Sequence, residues 1–170
     1  AESTSLKPYP HRPFVLSPVT VSPLSNTTEY NLTLRIAPPQ VPPENLVDVP
    51  LHLLEVNQPL DVLGLRVDSA NRIVFVGHPE LCIGKNEEQL QVQTVDSGRN
   101  GSQQWVLEQV QGFHRGVVRM KLLNDPRCSV AHNQSTPLVI QPTVAGEGLE
   151  AGQYWYAHDP TMEQCWIDDQ

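Results

Sequence analysis

Two stretches of this chain repeat each other, and a recurring unit of roughly 40–50 residues restricts the architecture more than any isolated motif. One reads Pro79-Glu80-Leu81-Cys82, then Leu90-Gln91-Val92-Gln93, then Gln103-Gln104-Trp105. The other reads Pro126-Arg127-Cys128, then Leu138-Val139-Ile140-Gln141, then Gln153-Tyr154-Trp155. The offset drifts from 46 residues (82 to 128) through 48 (90 to 138) to 50 (105 to 155), as small loop insertions would make it do. An apolar segment precedes each Cys: Ile73-Val74-Phe75-Val76 in one unit and Val117-Val118-Arg119-Met120 in the other.

The local patterning around these units is β throughout. Candidate strands run over 51–56, 60–67, 72–77, 89–95, 104–110, 116–123, 137–142 and 153–157. Between them lie turn clusters such as Asp68-Ser69-Ala70-Asn71, Asp96 to Gly101 and Asn124-Asp125-Pro126. Upstream, Val19-Thr20-Val21 and Tyr30 to Ile36 alternate. In the second, Tyr30, Leu32, Leu34 and Ile36 share one face, which turns Asn31 to solvent. Sustained helical stripes are absent, so the chain is expected to be all-β.

Proline sets the character of the first third. Residues 1–59 hold 11 of the 16 prolines. Pro8, Pro10 and Pro13 keep residues 1–13 out of regular structure and predict an extended surface arm, leaving 14–170 as one domain. Pro38-Pro39 and Pro42-Pro43 predict a stiff connection. With charged residues at only 18% of 170, a helical bundle is excluded. The net charge of −8 argues against nucleic acid and anionic membrane surfaces, both of which need a basic face. The apolar runs all fall short of the roughly 18 residues of a membrane span.

Four sequons point to secretion and glycosylation: Asn26-Thr27-Thr28, Asn31-Leu32-Thr33, Asn100-Gly101-Ser102 and Asn133-Gln134-Ser135. The chain opens at Ala1 rather than Met, as expected of a processed mature protein. Three cysteines, Cys82, Cys128 and Cys165, imply one bridge and one remaining thiol. CxxC pairs are absent and the six histidines are scattered, so no metal or other cofactor is expected.

A unit of four short strands ending in Gln-x-Trp resembles the repeat of the ricin-type β-trefoil lectins. The likeness covers about residues 60–158. It implies a β-trefoil in which Trp105 and Trp155 are buried at equivalent positions and each Gln amide satisfies backbone groups at a strand end. Residues 12–59 would form the third repeat and carry no Gln-x-Trp. A β-sandwich with two ordinary core tryptophans is the alternative. With Cys82 and Cys128 as repeat equivalents held apart, the resemblance pairs Cys128 with Cys165.

In that family a sugar site needs an Asp shortly after the Cys-Leu opening, an aromatic platform, and an Asn or Gln before Gln-x-Trp. Here the openings are Cys82-Ile83-Gly84-Lys85 and Cys128-Ser129-Val130-Ala131, and neither supplies the Asp. Asp96 and Asn100 lie in the right region of one unit, and Trp166 with Asp168 and Asp169 makes a C-terminal aromatic–carboxylate group. Phosphate loops, H-E-x-x-H and G-x-S-x-G are all absent, which leaves only catalytic pairs that meet in space. The sequence therefore reads as a non-catalytic, secreted protein-binding module. It would be an accessory subunit clasping a larger secreted enzyme, as in heterodimeric fungal laccases, or a protease inhibitor. A lectin-like carbohydrate binder is the alternative. Its working surface is expected on loops and on the arm, with Tyr9 and Phe14 as anchors and no buried ionisable constellation.

Overall fold

The computed structural model describes residues 13–21, 28–31, 33–38, 43–55, 64–110, 116–132, 137–144 and 152–158. These residues are all-β. Their strands are β1 (Val15–Val21), β2 (Thr28–Tyr30), β3 (Leu34–Ala37), β4 (His52–Glu55), β5 (Leu65–Val67), β6 (Ile73–Phe75) and β7 (His78–Asn86). They continue with β8 (Gln89–Thr94), β9 (Trp105–Gln109), β10 (Val117–Leu122), β11 (Asp125–Ala131), β12 (Val139–Pro142) and β13 (Trp155–His158). One four-residue helical turn, α1 (Asn100–Gln103), precedes β9. The segment expected as one alternating strand over 30–36 is broken at Asn31. There a turn closes with the Leu34 N–H donating to the Asn31 carbonyl.

Six of the strands close on themselves. β1 pairs with β13, β13 with β10, β10 with β9, and β5 with β6, all antiparallel. The two remaining joints are single contacts. Phe14 and Leu65 exchange both backbone hydrogen bonds at 2.9 and 2.8 Å, and the Trp105 N–H donates to the Asn71 carbonyl at 2.9 Å. Closure removes the unpaired edges that an open sheet of this size would present.

Three antiparallel hairpins accompany the ring: β3–β4, β7–β8 and β11–β12. Each puts an apolar pair at the same place, Ile36 opposite Leu53, Ile83 opposite Val92, and Val130 opposite Ile140. Each follows that position with a small residue: Ala37, Gly84 or Ala131. Two residues before Leu53, Val92 and Ile140 stand Leu51, Leu90 and Leu138, all buried. Their backbones form a three-membered cycle. Leu51 N–H donates to Leu90 C=O (3.0 Å), Leu90 N–H to Leu138 C=O (3.2 Å), and Leu138 N–H to Leu51 C=O (2.9 Å). One apolar cluster, running from Phe14 to Ala157, fills the space between ring and hairpins.

β7 falls outside the expected strands, and β11 begins in the expected turn cluster Asn124-Asp125-Pro126. Both carry a Pro near their start, Pro79 and Pro126, and both ladders shift register there. The bulge takes the Pro out of the regular ladder, so its missing N–H costs no strand bond.

Candidate functional site

The two Gln-x-Trp segments do equivalent work. Trp105 and Trp155 are buried, and their indole N–H groups donate to the carbonyls of Ile83 (2.9 Å) and Val130 (3.1 Å). Gln103 Nε2 donates to Thr94 C=O, and its Oε1 accepts from Asp96 N–H. Gln153 Nε2 donates to Pro142 C=O, and its Oε1 accepts from Val144 N–H. Each buried carboxamide thus bridges a carbonyl and the N–H two residues on, where a strand runs out and its backbone loses ladder partners.

A further backbone pattern recurs without the motif. Val19 N–H donates to Tyr154 C=O, Val76 N–H to Gly64 C=O, and Leu123 N–H to Gln104 C=O. The residues after those acceptors are Trp155, Leu65 and Trp105. Leu65 follows its acceptor carbonyl as Trp105 and Trp155 follow theirs, and the fully buried Phe14 lies directly across from it. This corrects one expectation. Phe14 is a core residue bonded at both backbone groups, and it is not available as an anchor on a docking arm. Tyr9, the other expected anchor, lies outside the described residues.

The hairpin registers also correct the alignment of the cysteines. With Ile83 matching Val130, Cys82 corresponds to Ser129, and Cys128 corresponds to Leu81. A one-residue shift exchanges the two faces of a strand. Cys82 is fully buried, and burial pushes its thiol up to about 11. Cys128 is half-buried, a free thiol with Sγ 3.8 Å from Asp125 Oδ2. The expected partner, Cys165, lies outside the described residues, as do Asn26, Asn133, Trp166, Asp168 and Asp169.

Two residues after Cys82 stands Gly84, and the Gln93 side chain lies where a β-carbon on Gly84 would project. Gln93 is itself held, its Nε2 donating to Lys85 C=O (3.3 Å) and its Oε1 accepting from Gln103 Nε2 (2.8 Å). Ala131 and Ala37 occupy the corresponding positions of the other hairpins. Asp96 is engaged as a cap, its Oδ1 accepting from Gly98 N–H at 2.9 Å. Asn100 is exposed at the start of α1.

A further correction concerns ionisable groups: buried ones were not expected, yet His132 and His158 are both buried near the β1–β13 seam. Ser17 Oγ and His158 Nε2 lie 2.8 Å apart, both buried, and His158 stacks on Tyr156 at 5.3 Å. His132 contacts the backbone carbonyl of Tyr154 through Nε2 (2.9 Å) and meets Trp155 edge-on. Burial lowers the His132 pKa from its ordinary 6.5, against hydrogen bonds to the backbone of Tyr154 and Val19. The residues that build these contacts come from distant strands, and no local spacing announces them. Among the described residues no group of His, Cys, Asp and Glu is arranged to hold a metal ion.

Comparison with known proteins adds a fold-level likeness. Neither a family model nor a curated protein matches the sequence. A solved structure described as that of a mosquitocidal holotoxin is similar over 86% of this chain, at 16% identity and a TM-score of 0.60. The chain spans 17% of that protein's length. At this identity the likeness concerns the fold.

Proposed function

We propose that this chain is a β-trefoil serving as a non-catalytic, secreted protein-binding module, specifically an accessory subunit of a larger secreted enzyme. The trefoil reading is supported by the six-strand ring, the three hairpins with matched register, and the Leu51–Leu90–Leu138 cycle. The observation that carries the functional reading is the Gly84–Gln93 arrangement. A side chain already pinned by two hydrogen bonds fills the place where a sugar-binding carboxylate would stand, so the scaffold is kept while that chemistry is replaced. Recognition then falls to loops, which vary freely on a rigid barrel. The Ser17–His158 pair fits a structural role, because both side chains are buried.

Isolation from native secretion without denaturant tests this reading. Co-migration with a larger enzyme at fixed stoichiometry is the expected result. A lone chain that binds defined oligosaccharides on a glycan array would replace the proposal with a lectin reading.

A further inference from the structure

The four sequons differ in more than sequence, and two of them lie on described backbone. Asn31 sits in the turn between β2 and β3, exposed, as is Thr33. The Thr33 hydroxyl donates to Asn31 Oδ1 at 2.9 Å. The backbone is fixed around this pair. Asn31 N–H donates to Pro18 C=O (3.2 Å), and Asn31 C=O accepts from Leu34 N–H (3.3 Å). A hydroxyl donated to the carboxamide oxygen polarises the amide and makes its Nδ2–H more acidic, which eases loss of that proton to a base of the transferase. Hydroxyl and amide are thus placed to act as one acceptor.

Asn100 presents the opposite arrangement. It has helical backbone angles (φ −52°, ψ −38°), and its carbonyl accepts from Gln104 N–H. The Ser102 hydroxyl donates to Arg99 C=O at 3.1 Å and so is turned from the Asn100 amide. The next residue, Gln103, is buried and clamps Gln93, Thr94 and Asp96, all within ten residues of it in sequence. Contacts this local form early. The Asn100 sequon is therefore drawn into its closed geometry as soon as the β8–β9 segment folds.

We infer that Asn31 is an N-glycan attachment site and that Asn100 is left bare, a selection resting on the secreted-glycoprotein reading above. The donor class is an oligosaccharide carried on a lipid pyrophosphate. A bond forms between Asn31 Nδ2 and the anomeric carbon, the bond from that carbon to the phosphate oxygen breaks, and the lipid pyrophosphate leaves. The amide proton passes to a base of the transferase. The attached glycan stands beside β2, which among the described residues pairs with β1 alone.

The test is site mapping on the full chain secreted from a eukaryotic host. Enzymatic release of glycans in heavy-oxygen water marks each occupied Asn by isotopic conversion to Asp. The expected result is near-complete marking of the Asn31 peptide and an unmarked Asn100 peptide. Asn31→Gln and Thr33→Ala should each remove one glycan from the intact mass, and Asn100→Gln should remove none. An unmarked Asn31 beside a marked Asn26 or Asn133 would overturn the inference and leave the secreted-glycoprotein reading standing. So would a marked Asn100. A secreted chain with no glycan at all would overturn both.

Discussion

The Gln93 side chain occupies the space in front of Gly84 that a β-carbon would need, and hydrogen bonds to Gln103 and Lys85 hold it there. Gly84→Asp must therefore displace a buried and bonded amide. We expect it to destabilise the protein by about 1–3 kcal/mol, as overpacking does, and to confer no sugar affinity. Urea unfolding and a glycan array on the variant check both halves.

The paired carboxamides give a second prediction. Gln103→Ala and Gln153→Ala each remove a buried carboxamide and its two backbone hydrogen bonds, at a cost of about 1–3 kcal/mol each. The sites lie in separate units and share no hydrogen-bond partner among the described residues, so their effects should add in the double variant. Strong coupling between them, measured by chemical denaturation, would show that the units are not energetically separate.

The correction at Phe14 leads to a third. Phe14→Ala should cost about 3–5 kcal/mol, comparable with Trp155→Ala, because each empties a fully buried aromatic site. A melting temperature within a few degrees of the parent would return Phe14 to the surface.

His132 predicts acid sensitivity. Its native pKa is lowered by burial, so below about 6.5 the unfolded chain binds a proton that the folded chain resists. The stability associated with neutral His132 is complete above that value and declines as the pH falls toward the lowered native pKa. The slope is at most about 1.4 kcal/mol per pH unit for one group. His132→Gln should flatten the difference between unfolding curves at pH 5 and pH 8. Equal pH dependence in parent and variant would assign the sensitivity to other groups.

The two Gln-x-Trp segments were legible in the sequence because they use large, infrequent residues at recurring places. The six-strand ring was not, because its seams join residues such as Phe14 and Leu65, or Ser17 and His158, that only tertiary proximity brings together. Leu65 gave no such signal: its preceding carbonyl is bonded as those before Trp105 and Trp155 are, but it carries no Trp, and Phe14 lies across from it. The cysteine alignment misled for a related reason: a one-residue difference before β11 is invisible in spacing that already drifts, yet it turns the side chain to the other face. Pro79 and Pro126 masked two strands because their positions at bulges resemble turns.

The Leu51–Leu90–Leu138 cycle has no first or last member, and this governs when the molecule can form. Its longest link joins Leu51 to Leu138, 87 residues apart by subtraction (138 − 51), and it cannot be made before the third hairpin exists. Hairpins β7–β8 and β11–β12 are local and can assemble within microseconds, whereas the cycle waits on a long-range closure whose entropy no local contact has offset. Refolding should therefore be slow relative to helical proteins of the same length, with native-like fluorescence from Trp105 and Trp155 appearing late. During synthesis the same dependence delays completion until the chain has passed residue 138, and a product truncated before it lacks one corner of the cycle altogether.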